Sequence, residues 1–580
     1  MKRKGKNAER KIMHMYTMLL LLLGAATLAV EADAQEAPTA VVPGIGVLTG
    51  TIDTFSGDAA FLGIPYALPP VGEFRLRPPR PVPRVAEGEQ LPLVDATSFG
   101  NQCMQNDKEP LSVFEPDSPL SEDCLFLNVL TPAPGETDAR LPVVLVIHGG
   151  FFTRGSSNEV AFLASTFAQY AMGKVIIVTI NYRLGLWGFL GGKSMRDRVG
   201  SAAAGNLAIL DQQLAMQWTK DHIAAFGGNP DEITLLGYSA GGVSVRLHLA
   251  LESSAHLFSR AVIQAGTTVD ELSMDDADAW EEDVLLMAGC DDLDCLVALD
   301  SDTLAEVNRG FTVYDASDAD MYSVPFGRQK FLREKGRTQL WAPVVDGTFI
   351  RETATETFRR GGIAGAESKQ VIIGSNRDEY AIFFLQETDL TESQYESLLR
   401  DAGFNETMVS EIKDVYNPDN GYEYPDFGQF SRWWWQAIRG ETDSVPGLGI
   451  CAARYNARLL ANAGFDVYAY HLEAPLMTEI VEGSGITTAL SGHIFDLLFI
   501  FAVPFPVLTD VNDLTVSAQM SAFWLSFIDQ ETWPKPQVDM AAWPKYTIEE
   551  DLFMVFDVPT PKAQSQIRED ACIFWERMAK

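Results

Sequence analysis

Histidine is scarce in this chain, with seven in 580 residues. One of them, His14, lies in an N-terminal stretch read below as removable, so six remain for any imidazole chemistry. Bases are also few: 44 Lys and Arg stand against 79 Asp and Glu, a formal net charge of -35. A surface that acidic repels phosphate backbones and anionic lipid heads, which argues against nucleic acid as a partner. The six cysteines include no Cys-x-x-Cys pair, which speaks against a zinc or redox motif. Internal repeats and low-complexity segments are missing. Beyond the N-terminus no apolar run is long enough to span a membrane; the best, Leu497 to Leu508, is short and contains Pro504 and Pro506. Residues 270–295 are strongly acidic, but without the spacing and glycine of an EF-hand they read as a solvated face and not as a calcium site.

What is present describes a large globular protein that is exported. Hydrophobic residues make up 47% of the chain, ample for a large core. Lys2, Arg3, Lys4, Lys6, Arg10 and Lys11 precede an apolar run from about Met15 to Val30, and the small-x-small site Ala32-Asp33-Ala34 follows. That order predicts a secretory signal peptide over 1–34, cleaved after Ala34, and a mature domain over 35–580 without a membrane span. The expected location is extracellular. The C-terminus carries neither a retention signal nor a hydrophobic tail. An even cysteine count in an exported chain predicts disulfides, with fifteen pairings open on arithmetic alone. Asn405-Glu406-Thr407 is a glycosylation sequon and places Asn405 on the surface if it is used.

The chain alternates strand and helix patterns. Val143 to Ile147 and Val175 to Ile180 are continuous runs of β-formers, as in strands buried on both faces of a parallel sheet. Glu159 to Tyr170 reads as a helix between them, and Asn206 to Phe226 has a helical period. Ile233 to Leu236, Val371 to Ile373 and Val467 to Tyr470 look like further strands. The fold class is therefore α/β, with a doubly wound, mostly parallel sheet.

Chemistry concentrates where strands end. Gly237-Tyr238-Ser239-Ala240-Gly241 matches Gly-x-Ser-x-Gly between a strand and a plausible helix, the setting of a nucleophile elbow. Such a turn lifts the serine hydroxyl clear of the sheet, and the helix N-terminus favours developing negative charge. A serine needs a base to take its proton. With partners in the order serine, acid, histidine, only His471 and His493 fall late enough. His471 sits in a strand-like stretch; His493, in the loop-like Leu490-Ser491-Gly492-His493, is the better base. Asp378 and Glu379 follow the strand Val371 to Ile373, and either qualifies as the acid on chemistry alone. His148-Gly149-Gly150 follows Val143 to Ile147, where glycines let backbone N–H groups approach an oxyanion.

Together these residues resemble the type-B carboxylesterase and cholinesterase family over nearly the whole mature chain. Phe61-Leu62-Gly63-Ile64-Pro65-Tyr66-Ala67 is similar to its N-terminal segment, and Ser121-Glu122-Asp123-Cys124-Leu125-Phe126-Leu127-Asn128-Val129 to its second diagnostic motif. Asp211-Gln212, Phe226-Gly227-Gly228-Asn229-Pro230 and Gly237 to Gly242 follow its elbow region. The resemblance implies a single α/β-hydrolase domain and a serine carboxylic ester hydrolase acting on small-molecule esters through an acyl-enzyme, with no metal or other cofactor. It implies Ser239 as nucleophile, Glu379 as the acid, His493 as the base, and the N–H groups of Gly150, Phe151 and Ala240 as oxyanion donors. It further implies the disulfides Cys103–Cys124, Cys290–Cys295 and Cys451–Cys572, and the ion pairs Arg75–Glu122 and Arg183–Asp211.

The surroundings of the trio depart from the family. Phe151 stands where a third glycine or an alanine is usual, Tyr238 replaces a glutamate, and Ala265 replaces a supporting serine. Tyr380 and Ile494 occupy positions usually held by glycine. These changes keep a second expectation open, a weakly active or inactive binding or adhesion protein on the same fold. Between Cys103 and Cys124 there is no Trp, whereas cholinesterases place a choline-binding Trp in that loop; this argues against acetylcholine as the main substrate.

Overall fold

The computed structural model describes residues 36–578 apart from 106–117, 267–270, 312–340, 384–388, 421–429, 446, 477–489, 502–509 and 537–539. The expected signal peptide lies outside the described residues. Thr39–Lys580 form one compact unit; Met1–Pro38 form another, of which only residues 36–38 are described.

Eleven strands build the central sheet: β1 (Thr51–Ile52), β2 (Ala59–Pro65), β3 (Phe126–Thr131), β4 (Leu141–Ile147), β5 (Ile176–Ile180), β6 (Gly228–Tyr238), β7 (Arg260–Gln264), β8 (Gln370–Asn376), β9 (Asp466–Leu472), β10 (Phe553–Phe556) and β11 (Lys562–Gln564). Their spatial order is β1-β2-β3-β5-β4-β6-β7-β8-β9-β10-β11. From β5 to β10 all neighbours are parallel, while β1 to β3 and β11 add antiparallel edges.

The continuous apolar runs are explained by burial on both faces. In β4, Val143, Leu145 and Ile147 enter one core, while Val144 and Val146 enter the other. β7 and β8 split the same way, Ala261 and Ile263 against Val262, and Val371 and Ile373 against Ile372. Helices cover both sides. α1 (Ser157–Ala171), α5 (Phe495–Ile500) and α6 (Val511–Asp529) lie over the second core; α2 (Leu207–His222), α3 (Ala240–Ala250) and α4 (Ile450–Asn462) lie over the first. The doubly wound α/β expectation is met.

Three disulfides form, Cys103–Cys124, Cys290–Cys295 and Cys451–Cys572. The last ties α4 to the C-terminal helix α7 (Glu569–Met578) across 121 residues. Closing a loop of that length restricts the unfolded chain and stabilises the fold by about 4–5 kcal/mol in the chain-entropy treatment. Arg75–Glu122 and Arg183–Asp211 pair at 2.7 Å each, largely buried. The acidic stretch is put to structural use: Glu281 accepts the N–H groups of Ser194 and Met195, and Asp278 pairs with Arg196. Asn405 is exposed and caps a helix, accepting the Met408 N–H at 3.0 Å. Among the described residues no helix is long and apolar enough to cross a membrane.

Candidate active site

Parallel strands deliver their C-terminal ends to one edge, and the chemistry-bearing residues collect there. β6 ends at Tyr238 and α3 starts at Ala240, so Ser239 alone makes the turn, at φ 54 and ψ -126. That backbone region is sparsely populated and costs on the order of 1–3 kcal/mol, so its surroundings must hold it. The Ser239 N–H donates to the Gln264 carbonyl at 2.8 Å, at the end of β7. Glycines make room: a Cβ on Gly237 would overlap the Gly241 carbonyl oxygen, and one on Gly241 the Ile147 carbonyl oxygen. Ser239 is buried, 6% exposed.

Two strands along, the loop after β8 carries the adjacent carboxylates Asp378 and Glu379. Glu379 is fully buried, and its Oε2 lies 2.6 Å from Nδ1 of His493. Its Oε1 accepts the Asn376 N–H at 2.6 Å, and its carbonyl accepts the His493 N–H at 3.1 Å. Burial raises the Glu379 carboxyl above the usual carboxylate range, while the bond from His493 pulls it back. Because a carboxylate only accepts, Nδ1 of His493 carries the proton and Nε2 keeps a lone pair. Nε2 is buried and has no hydrogen-bond partner among the described residues, the Ser239 hydroxyl included. Such bonds are often long without substrate and tighten on binding.

Asp378 and Glu379, like His471 and His493, differ in what they touch. Asp378 does not touch His493. Burial alone would raise its pKa, but Arg377 and Arg439, each 2.9 Å away, hold it below the usual range. It also accepts the Ser491 N–H at 3.1 Å while donating its own N–H to the Ser491 carbonyl at 2.8 Å. Asp378 thus joins the acid loop to the histidine loop. His471 is buried within β9 and its charged neighbour is Glu473, 3.4 Å away. Asp496, three residues past His493, receives Tyr470 at 2.5 Å, Asn376 Nδ2 at 3.2 Å and Gln264 Nε2 at 3.4 Å. Gln264 therefore links the serine turn to the histidine loop through its backbone and side chain.

The loop after β4 leans on the serine turn. A Cβ on Gly149 would sit 2.9 Å from the Ser239 Cβ. Gly150 has φ 104 and Phe151 φ 55, so the phenylalanine occupies the left-handed conformation a glycine would take. Its ring meets Phe383 edge-on at 5.7 Å, and Phe383 packs on the His493 ring at 5.6 Å. Ala240 supplies the first N–H of α3, one of four without an intrahelical partner. Phe383 has no signature in the sequence. It reaches His493 because Ala381–Phe383 wind into a short 3-10 turn.

Strand-end placement, a strained serine between strand and helix, and a carboxylate-bound histidine define a serine hydrolase of the α/β class. The Carboxylesterase family profile matches residues 36–575, so the chain belongs to the carboxylesterase family and is a serine carboxylic ester hydrolase. It is similar to the cholinesterase of Mus musculus (29% identical over 552 residues, 91% of this chain and 83% of that one). It is equally similar to the acetylcholinesterase of Bungarus fasciatus (29% over 538 residues, 89% and 82%). Among solved structures it resembles a carboxylesterase of Geobacillus stearothermophilus, with a TM-score of 0.70, 28% identity, and coverage of 93% of this chain and 100% of that one.

Proposed function

We propose that Ser239, His493 and Glu379 form the catalytic triad, and that the protein is exported and hydrolyses small-molecule carboxylic esters through an acyl-enzyme. The observation carrying this reading is the 2.6 Å Glu379–His493 contact, which leaves Nε2 as the basic nitrogen on the edge where Ser239 turns. Nε2 takes the Ser239 proton as Oγ attacks the ester carbonyl. The carbonyl oxygen gains negative charge, received by the N–H groups of Gly150, Phe151 and Ala240 and by the N-terminus of α3. Collapse breaks the ester C–O bond, and the imidazolium gives its proton to the departing alcohol. A water then attacks the acyl-enzyme, with His493 again taking the proton, and releases the acid and Ser239. Glu379 holds the ring in the required tautomer and stabilises its charged form.

Three disulfides and the N-terminal pattern support export. Absence of a Trp between Cys103 and Cys124 supports esters other than acetylcholine as the main substrates. The test is Ser239→Ala: turnover of p-nitrophenyl esters and labelling by a fluorophosphonate probe are both expected to vanish while the thermal midpoint holds. Ester turnover unchanged in that variant would overturn the assignment.

A further inference from the structure

Three consecutive peptide units run beside Ser239, and each has its carbonyl held by a dedicated donor. The His148 carbonyl accepts from the Tyr182 hydroxyl at 2.8 Å. The Gly149 carbonyl lies 2.8 Å from Nδ1 of His148. The Gly150 carbonyl accepts the N–H groups of Thr153 and Arg154 at 2.9 and 3.1 Å. The middle bond is the unusual one, because a side chain reaches its own neighbour's backbone and the peptide joins two glycines. A Gly–Gly peptide has little steric preference and turns over readily.

A carbonyl only accepts, so Nδ1 of His148 must carry the proton. In a planar trans peptide the C=O and the next N–H point in opposite directions. The Gly149 carbonyl and the Gly150 N–H belong to the same unit. Whatever fixes one fixes the other.

The ring itself is held firmly. His148 is buried and stacks on Tyr182, with centroids 4.3 Å apart and planes 17° apart. Gly155 lacks a Cβ where one would fall 2.6 Å from Nδ1. Gln105, two residues past Cys103, clamps Gly155 from both sides, accepting its N–H at 2.9 Å and donating to its carbonyl at 3.2 Å. Burial lowers the ring's pKa to about 4, so it stays neutral at ordinary pH.

We propose that His148 is a positioning residue: its Nδ1–H, by holding the Gly149 carbonyl, fixes the Gly149–Gly150 peptide plane and aims the Gly150 N–H at the oxyanion. This rests on the triad reading above, with Gly150 as a donor. His148 acts on the transition state alone, because the substrate's neutral carbonyl needs that donor far less than the charged oxygen does.

His148→Phe keeps the stacking ring and removes the donor; His148→Asn places an amide N–H where Nδ1–H stood. With p-nitrophenyl acetate and the full chain, His148→Phe should lower kcat by about 10- to 100-fold with KM moved less than threefold, since loss of a whole oxyanion donor is worth about 10²–10³. Inhibition by a trifluoromethyl ketone, which presents the same oxyanion, should weaken in parallel, and His148→Asn should restore most of both. A folded His148→Phe protein with kcat within threefold of the parent overturns the proposal. If that variant does not fold, ¹⁵N spectra of the unaltered protein decide: a neutral His148 protonated on Nδ1 supports it, and one protonated on Nε2 overturns it. A parent that neither turns over esters nor reacts with a fluorophosphonate would overturn the triad reading as well.

Discussion

Replacing Glu379 by glutamine tests the acid with a change of one atom type. The backbone bond from Asn376 survives, because the amide oxygen can still accept it. The other end of the side chain now presents N–H to Nδ1 of His493, which must turn acceptor. The proton then sits on Nε2, where the Ser239 proton should go. Charge is lost as well. At 2.6 Å and an effective dielectric constant of about 20, carboxylate and imidazolium attract by about 6 kcal/mol. Because the positive charge spreads over the ring, that figure is an upper bound, and a fall in kcat of about 10³- to 10⁴-fold is expected. The assay is steady-state hydrolysis of p-nitrophenyl acetate, with the thermal midpoint measured on the same preparation. Asp378→Asn is the control: it leaves the His493 contact intact and is expected to lower stability far more than it lowers kcat in the surviving folded protein. A Glu379→Gln enzyme within tenfold of the parent, or a folded Asp378→Asn enzyme equally impaired, would refute the assignment of the acid.

Phe151→Gly should relieve about 1 kcal/mol of left-handed strain and lose a ring contact of similar worth, so stability should hardly move. The ring between the loop after β4 and Phe383 disappears, so kcat/KM for branched acyl esters should rise at least tenfold relative to acetate; an unchanged ratio would show that the ring does not limit the pocket. His248 is buried and neutral, receiving Ser254 Oγ at 2.9 Å on Nδ1 and donating to Gln212 at 3.1 Å, and burial lowers its pKa to about 3. The unfolded chain binds that proton below about pH 6.5 and the folded one does not, so stability falls with pH over that window. In His248→Asn the urea midpoint should fall less steeply between pH 6 and pH 4, by about one proton's worth of slope, and an unaltered slope would contradict the burial argument.

The sheet was readable because its strands are buried on both faces, and an unbroken run of β-branched and apolar residues as short as Val143 to Ile147 suits a central strand better than a helix. Strand ends were less readable. β6 begins at Gly228, five residues before the apolar run Ile233 to Leu236, because pairing with β4 starts on backbone bonds that need no hydrophobic side chain. At the site, Gly-x-Ser-x-Gly marked the turn, since only glycine avoids the overlaps on either side of Ser239. The choice between Asp378 and Glu379 was not in the residue types. The proposal of Glu379 rests on which of two adjacent carboxylates faces Arg439 and which faces His493, and that follows from the direction of the loop leaving β8. Phe383, Gln264 and Tyr182 leave no mark in the sequence for the same reason: each acts through a contact dozens of residues away.

The departures from the family pattern bear on whether the site requires a backbone path or a particular side chain. Ile494 stands where glycine usually follows the base, yet it keeps φ 66, and Phe151 keeps φ 55. Left-handed conformations cost about 1–2 kcal/mol for residues with a Cβ, more for a β-branched one, so neither persists by preference. Both flank hydrogen bonds that fix the path: the His493 N–H to the Glu379 carbonyl beside Ile494, and the Thr153 and Arg154 N–H groups to the Gly150 carbonyl beside Phe151. Tyr380, by contrast, needs no positive φ, so losing the glycine there is sterically free. Tyr238 is buried near Arg154 and takes a backbone bond from Gly149, and the Arg154 guanidinium lies 5.6 Å from the Phe151 ring. Phe383, which meets the Phe151 ring, also meets Tyr380 edge-on at 6.0 Å. Three altered positions, Phe151, Tyr238 and Tyr380, thus belong to one contact network around the loop after β4. Residues in one network rarely contribute independently. Phe151 reaches Tyr238 through Arg154 and Tyr380 through Phe383, so restoring the family residue at one of them changes what those two intermediaries pack against, and the effects of the three restorations on activity should not add.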